Sequence, residues 1–252
     1  MDFRTFELLH RIDGIQHCIT TRDPERPLEG SLALHTGDDP LKVQANRKAL
    51  AEHFGPGARF VSPLQVHGDH VHVVDVAADR GWEVLDEDLR ADALVTDRPG
   101  VVLTILTADC VPILFYDPIH RAIGAVHAGW RGTQQEIAPK TVRKMGELYG
   151  TDPADLIVGI GPAIGGCCYE VGAEVAEHFT DYPVAVQEKS GDKYLLDTKQ
   201  INAAQLVALG IPQEQIEISP ICTMCDHERF FSYRARPGEA GRFMSCIALD
   251  MV

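Results

Sequence analysis

The chain has 252 residues, 45% of them hydrophobic and 24% charged, which excludes a disordered, collagen-like or coiled-coil protein. Its formal net charge of −14 argues against binding to nucleic acid or to an anionic membrane surface. No apolar run approaches the roughly 18 residues of a membrane-spanning helix, and the N-terminus has no signal-peptide pattern. We therefore expect a cytoplasmic protein whose seven cysteines are thiols or metal ligands.

The apolar patterning predicts strands and helices that alternate along the chain. In chain order, we predict strands at 59–62, 71–76, 101–107, 111–116 and 122–127, a helix at 132–149, a strand at 156–160, helices at 171–179 and 197–209, and strands at 216–219, 230–234 and 242–249. Strands outnumber helices and are partly consecutive, so the fold class is α+β. Because no linker or shift in composition marks a boundary, residues 1–252 are expected to form a single domain.

The usual cofactor motifs are absent. The segment 159–165 resembles a dinucleotide loop, but its third glycine is one position late and Pro162 removes an amide donor. Cys222 and Cys225 resemble the cysteine half of a zinc nucleobase deaminase, but no His-x-Glu is present. A structural zinc at Cys222, Cys225 and His227 needs a fourth ligand, so buried thiols are the simpler interpretation.

Polar, metal-competent side chains follow three of the predicted strands. His67 follows the strand 59–62, Cys110 stands between two apolar strands, and His127 ends a third. Two imidazoles and a thiolate suit Zn²⁺, and three protein ligands leave a fourth position for water, as in catalytic zinc sites. Asp109, beside the thiolate, is a candidate orienting group or general base. Spacing alone leaves open a buried cysteine and two hydrogen-bonded histidines.

Several longer motifs add to this pattern. They are Gln65-Val66-His67-Gly68, Ala108-Asp109-Cys110, the segment 127–132, the segment 161–172, Cys222-Thr223, the segment 230–234 and Gly241-Arg242. Together, over residues 20–249, they resemble the YfiH-type laccase-domain family, historically called multicopper polyphenol oxidases. The resemblance implies two packed mixed β-sheets flanked by helices, with His67, Cys110 and His127 as ligands of zinc, for which copper is a possible substitute. The segment 21–34 departs from the family, because it lacks the usual glycine pair and asparagine.

The resemblance also implies purine nucleoside chemistry. Family members are described as phosphorylases of adenosine, inosine, guanosine and methylthioadenosine, with adenosine deaminase activity, so the expected partners are a nucleoside and phosphate. Phosphorolysis needs cations to hold the phosphate, and Arg47, Arg131 and Arg234 are the candidates in or beside the matched motifs. Gln65 is a further candidate for substrate binding. Trp130 or Tyr169 is a candidate for stacking on the base, although packing is the commoner role of such rings.

Three alternatives remain open at this point. A copper-dependent polyphenol oxidase fits the family's old name, but a multicopper enzyme needs more histidines at short spacing than the single pair His70 and His72. A metal-free thiol hydrolase, with Cys110 and His127 as thiolate and imidazole, would act on amides or peptidoglycan precursors. A binding protein with a structural metal would show no turnover. Metal content and turnover distinguish these alternatives.

Overall fold

The structure is a computed structural model that describes residues 1–238 and 241–251. Its strands are β1 (Phe3–Arg4), β2 (Ile15–Thr20), β3 (Arg59–Val61), β4 (Val71–Val73), β5 (Ala93–Thr96), β6 (Val101–Thr107), β7 (Val111–Asp117), β8 (Ala122–Ala128), β9 (Ile157–Ile160), β10 (Glu170–Gly172), β11 (Val186–Glu188), β12 (Lys193–Leu196), β13 (Ile216–Ile218) and β14 (Phe243–Leu249).

Six α-helices lie between these strands in the described part of the chain. They are α1 (Glu7–His10), α2 (Pro40–Phe54), α3 (Trp130–Gln134), α4 (Ile137–Tyr149), α5 (Ala173–Ala176) and α6 (Thr198–Ala208). Asp197 caps α6 as predicted, because its carboxylate accepts hydrogen bonds from the amides of Lys199 and Gln200. The amides at a helix start have no partner within the helix, so this cap fixes where α6 begins.

Two large mixed sheets pack face to face. One has the strand order β1-β2-β14-β6-β3 and the other β13-β9-β7-β8-β5-β4. Successive side chains of a strand point to opposite faces. In β6, Leu103 and Ile105 therefore pack between the sheets, while Val102 and Leu106 pack on the outer side with residues of α2. Because both faces of β6 are buried, its sequence is an almost continuous apolar run.

The helices α4 and α6 cover the outer face of the six-stranded sheet. A small third sheet, with the order β10-β12-β11, packs against α5, and Trp130 and Tyr169 pack against the same hydrophobic cluster. The predicted α+β class and the two packed sheets with outer helices are confirmed. The third sheet was not predicted, because its strands are three or four residues long and partly exposed.

Some predicted elements are wrong in detail. The predicted helix 132–149 is two helices, because Glu136 adopts a left-handed backbone with φ of +57° and breaks the helix between α3 and α4. The predicted helix 171–179 begins as strand β10. The predicted strand 230–234 is an irregular segment that ends in a turn. None of the described helices is long and apolar enough to cross a membrane.

Candidate active site

Three metal-competent side chains meet at one edge of the packed sheets. His67 lies in the loop between β3 and β4, Cys110 in the turn between β6 and β7, and His127 near the end of β8. One ligand atom from each lies within 4.8 Å of the others, and His67 Nε2 is 3.9 Å from Cys110 Sγ. His67 is exposed and His127 is buried, so the cluster is reached from one side. The structure thus brings the three predicted ligands together.

A buried carboxylate, that of Asp92, holds both histidines. Its Oδ1 accepts hydrogen bonds from His127 Nδ1 at 2.7 Å and from the His67 amide at 3.0 Å. Its Oδ2 accepts from the amides of Val66 and Gly68 at 3.2 and 2.8 Å. Burial raises the pKa of Asp92, but His127 and the amides lower it overall, so the group is ionised. Because Nδ1 of His127 is engaged, Nε2 is the nitrogen that faces the cluster.

Cys110 and His127 shift each other's protonation. Burial raises the pKa of the Cys110 thiol, but the facing His127 and His67 lower it overall, to about 6. Burial lowers the pKa of His127, but Cys110 and Asp92 raise it overall, to about 9. Without a metal, the pair is therefore a thiolate and an imidazolium near neutral pH. The thiolate is the form of cysteine that binds metals, and binding releases the imidazolium proton.

Asp109 bonds to the C-terminal segment rather than to a histidine among the described contacts. Its Oδ1 accepts a hydrogen bond from the Thr223 hydroxyl at 2.7 Å, and its Oδ2 accepts from the Arg234 amide at 2.8 Å. Its backbone φ is +94°, a conformation that costs about 1–3 kcal/mol and persists only where neighbours enforce it. Asp109 therefore positions the turn that carries Cys110, while Asp92 is the carboxylate that orients the histidine.

A cavity of ≈ 350 Å³ opens beside the three ligands. This volume lies within the range of small-molecule sites. Besides the ligands, side chains with polar groups line its wall: His35, Gln65, Thr107, Asp109, Trp130, Tyr169, Thr198, Tyr233, Arg234 and Arg242. The site is thus a largely apolar pocket with a few convergent charged groups, which is typical of a catalytic or ligand-binding cavity.

The arginines divide between the cavity and its surroundings. Arg234 and Arg242 line the cavity. The guanidinium of Arg234 lies 5.2 Å from the centre of the Tyr169 ring and donates to the carbonyl of Glu170 at 2.9 Å. Arg131 stacks over the neighbouring Trp130 at 4.4 Å, outside the cavity lining. Of the predicted phosphate-binding arginines, the structure therefore places only Arg234 in the cavity wall.

Arg47 requires a correction, because the structure places it in the interior. Its side chain is 2% exposed. Its guanidinium donates to the carbonyls of Leu32, Gly81 and Trp82 at 2.9, 2.7 and 2.6 Å, and lies 4.9 Å from the Trp82 ring. A buried charge needs such partners. Arg47 therefore holds two loops onto α2 and is not presented to a phosphate in the cavity.

Gln65 lines the cavity, but both ends of its amide are engaged with β6. Nε2 donates to the Leu106 carbonyl at 2.7 Å, and Oε1 accepts from the Leu106 amide at 2.8 Å. The side-chain amide thus pairs with the backbone of β6 as a neighbouring strand would. This pairing fixes the loop that carries His67. Its contribution to the site is to position this loop.

The aromatic side chains of the cavity differ in what covers them. Trp130 stacks against the His178 ring, with centroids 6.0 Å apart, and Arg131 covers it as well. Tyr169 is covered by Arg234. Tyr233, which the sequence analysis did not single out, lines the same cavity and is 54% exposed.

Sequence reasoning missed three further residues of the site. For Asp92, the one available signal was a single acidic residue directly before the fully buried strand β5. For Arg242, the signal was its place in the last motif. His35 follows the divergent segment 21–34 and carried no signal. Partial burial lowers the pKa of His35, and the nearby cations of Arg242 and Arg47 lower it further.

The C-terminal cysteines form a separate cluster. Cys222 and Cys225 lie with Cys167 and Cys168, and one sulfur from each is within 4.8 Å of the others. His227 is not part of this cluster, because its Nδ1 lies 3.1 Å from the Met224 carbonyl and its Nε2 faces Glu228. The zinc ligand set considered from the sequence is therefore corrected: if these cysteines hold an ion, the remaining ligands are cysteines from the segment 165–169.

The fold and the site together define an α+β protein with a two-histidine, one-cysteine centre in a small-molecule cavity. Residues 16–250 match the family described as multi-copper polyphenol oxidoreductase laccase, and the chain belongs to this family. The YfiH-type resemblance read from the motifs is thus confirmed.

Relatives cover nearly the whole chain. A purine nucleoside phosphorylase of Bacteroides thetaiotaomicron is 36% identical over 97% of this chain and 95% of its own length. Adenosine deaminase RL5, from an unknown prokaryotic organism, is 33% identical over 96% and 97%. The crystal structure of the Bacillus licheniformis protein YfiH has a TM-score of 0.90 and 36% identity, and covers 98% of this chain and 99% of its own.

Proposed function

We propose that the protein is a zinc-dependent purine nucleoside enzyme, with residues 1–252 acting as one catalytic domain. Its main reaction is the phosphorolysis of adenosine, inosine, guanosine and methylthioadenosine, and its second is the deamination of adenosine. The observation that carries the proposal is the convergence of His67, Cys110 and His127 in a cavity whose wall holds Arg234 and Arg242. The names of the relatives support both reactions.

In phosphorolysis, an oxygen of phosphate forms a bond to C1′ of the ribose while the bond from C1′ to the base nitrogen breaks. The base leaves with the electron pair and takes up a proton, and the sugar leaves as its 1-phosphate. Positive charge develops on the sugar, so the phosphate must be held close to it. Arg234 and Arg242 are proposed to hold this anion, since arginine forms paired hydrogen bonds with phosphate oxygens.

The purine is proposed to lie against Tyr233. Trp130 and Tyr169 each have cationic groups over their rings, whereas the Tyr233 side chain is largely exposed in the cavity wall. Aromatic rings provide a stacking surface for a base with little loss of conformational freedom.

The donor set fits zinc. It offers two imidazole nitrogens and one sulfur, and the hydrogen bond from His127 Nδ1 to Asp92 leaves Nε2 as the ligand atom. When bound, zinc supplies Lewis acidity beside the substrate, which deamination of a purine ring requires. The protein's own part is to orient the histidines through Asp92 and to fix the Cys110 turn through Asp109.

The test combines metal analysis with product analysis. Purified wild-type protein and Cys110→Ala are analysed by mass spectrometry for metals and incubated with adenosine, with and without phosphate. We expect phosphate-dependent release of adenine, a smaller phosphate-independent release of inosine, and loss of both in Cys110→Ala together with loss of the zinc of this site. The matched control is Cys18→Ala, which removes a buried thiol from the hydrophobic cluster beneath α2. Retention of nucleoside turnover by Cys110→Ala that has lost the zinc of this site would refute the proposal.

A second candidate is a thiol hydrolase that works without metal. It is favoured by the chain of contacts in which Asp92 bonds His127 Nδ1 while His127 faces the Cys110 thiolate, an arrangement that can activate a nucleophile. Metal-free wild-type protein that turns over an amide substrate and no nucleoside would favour it. Bound copper, with oxidation of phenols and no nucleoside turnover, would instead favour a polyphenol oxidase.

A further inference from the structure

The four cysteines Cys167, Cys168, Cys222 and Cys225, called here the sulfur cluster, form a second metal-competent group outside the candidate active site. All four are free thiols, and their sulfurs lie within 4.8 Å of one another. Cys225 Sγ is 3.3 Å from Cys168 Sγ and 3.7 Å from Cys167 Sγ. A disulfide needs about 2.05 Å between its sulfurs, so these are not bonded pairs.

The spacing of the sulfurs matches a closed tetrahedral site. Four sulfurs placed about 2.3 Å from a central zinc lie about 3.8 Å from one another in a regular tetrahedron. The distances from Cys225 Sγ to Cys168 Sγ and Cys167 Sγ, 3.3 and 3.7 Å, lie below this value, and all pairs lie within 4.8 Å. Four protein ligands leave no open position, which is the mark of a structural rather than a catalytic metal.

Backbone amides and a buried cation surround the sulfur of Cys222. The Gly165 amide donates a hydrogen bond to Cys222 Sγ at 3.3 Å, and the Cys225 amide also bonds to it. Such amide donors commonly surround metal-bound sulfur. The buried ammonium of Lys199 interacts electrostatically with Cys222 and Cys167 while it donates to two backbone carbonyls. A buried cation here offsets part of the negative charge that four thiolates would bring.

The sulfur cluster joins two segments that both border the active-site cavity. Tyr169, which follows Cys168, lines the cavity, and Thr223, which follows Cys222, donates its hydroxyl to Asp109. The segments contact each other where the Thr223 amide donates to the Ala163 carbonyl at 3.0 Å. Apart from such single bonds, few regular elements hold them, because the residues 165–169 and 221–229 are largely turns.

We propose that Cys167, Cys168, Cys222 and Cys225 bind a second zinc ion, which fastens these two segments and so positions the wall of the cavity. Binding deprotonates the four thiols and releases four protons, and no redox step is involved. This site is independent of the proposed nucleoside chemistry, because it shares no ligand with the centre formed by His67, Cys110 and His127.

Reciprocal variants test the proposal. Zinc per chain is measured by mass spectrometry on reduced wild-type protein, Cys225→Ser and Cys110→Ala. We expect two zinc ions in the wild type and one in each variant. X-ray absorption at the zinc edge of Cys110→Ala should then show only sulfur neighbours, at about 2.3 Å. The same measurement on Cys225→Ser should show mixed nitrogen and sulfur neighbours, and its Tm should fall by several degrees.

The Cys110→Ala variant keeps all four cysteines of the sulfur cluster. Its zinc content therefore tests the proposal even if Cys225→Ser fails to fold. Wild-type protein with a single zinc that is wholly lost in Cys110→Ala would overturn the proposal. Iron in place of zinc, or an intact mass that shows a disulfide among the four cysteines, would also overturn it. Two zinc ions without nucleoside turnover would leave this proposal standing and count against the proposed function alone.

Discussion

Replacing Asp92 with asparagine tests whether this carboxylate prepares the metal centre. Each of its oxygens accepts two hydrogen bonds, one pair from His127 Nδ1 and the His67 amide and the other from the amides of Val66 and Gly68. An asparagine side chain has one acceptor oxygen and one NH₂ group. Whichever way the amide is turned, two N–H donors lose their acceptor and face another donor.

The expected magnitude follows from these contacts. A hydrogen bond to a charged group contributes about 1.5–3 kcal/mol, so the loss of two lowers the free energy of unfolding by about 3–6 kcal/mol. Loss of a carboxylate that orients a metal-bound histidine weakens metal binding about 10–100-fold, which is about 1.4–2.7 kcal/mol. Zinc affinity is measured by competition with a chromophoric chelator at neutral pH, and stability by urea unfolding of the metal-free protein.

Asp117→Asn is the matched control. Asp117 is also fully buried, and it accepts hydrogen bonds from the amides of Ile119 and His120 and from the His120 imidazole at 3.0 Å. Asp117 is the last residue of β7, whereas Cys110 directly precedes its first residue. The length of this strand separates the two residues by about 20 Å. We expect Asp117→Asn to lose stability and keep its zinc affinity. Equal zinc affinity in Asp92→Asn and Asp117→Asn would refute the role assigned to Asp92.

Three further variants test the cavity, the packing at the metal centre and a buried histidine. Arg234→Gln should raise the KM for phosphate about tenfold, since one charged hydrogen-bond donor in the cavity wall is lost. Arg143→Gln, which changes an exposed arginine of α4, is the control and should leave this KM unchanged. Gly129→Ala should lower zinc affinity with little loss of stability, because the added Cβ would lie 3.1 Å from His67 Cδ2 and 3.3 Å from Cys110 Sγ. Gly68→Ala is the control, since its Cβ would have no atom nearer than 3.6 Å, and a smaller effect on zinc affinity is expected. Burial lowers the pKa of His17 from 6.5 to about 4, so its contribution to stability is present above pH 6.5 and is lost as the pH falls towards 4. Urea unfolding of wild type should therefore show a loss of about 2 kcal/mol near pH 5 that is absent in His17→Gln.

Each of these expectations has an outcome that contradicts it. An unchanged phosphate KM in Arg234→Gln would remove this residue from the anion site. Equal zinc affinities of Gly129→Ala and Gly68→Ala, measured with the same chelator, would show that the close approach at Gly129 does not matter. An identical loss of stability between neutral and mildly acidic pH in wild type and His17→Gln would assign that loss to other groups.

The strands β6, β7 and β8 were predictable from the sequence, whereas β2, β5, α2 and the small sheet were not. The residues of β6, β7 and β8 are buried on both faces, so each strand is an apolar run of the right length. The buried face of α2 contains Asn46 and Arg47 as well as Val43, Leu50 and Phe54. The two polar residues interrupt the apolar periodicity by which an amphipathic helix is recognised. The small sheet consists of short, partly exposed strands, whose pattern is too weak to detect.

The motifs of the sequence were sufficient to name the three side chains of the candidate metal centre. Histidine and cysteine at strand ends, inside recognisable motifs, were enough to name His67, Cys110 and His127, because metal binding depends first on the chemistry of the donor atoms. Their meeting within 4.8 Å agrees with that chemistry.

Which other groups support the candidate centre depends on how the chain folds. Asp92 and Arg234 take part because the strands and the C-terminal segment bring them to the cavity, whereas Arg47, equally basic in the sequence, is enclosed by backbone carbonyls. Likewise, Cys167 and Cys225 lie 58 residues apart in the chain and 3.7 Å apart in space. Hydrogen bonds and metal ligation act over a few ångströms, and no local pattern records which distant segments the packing of the sheets brings within that range.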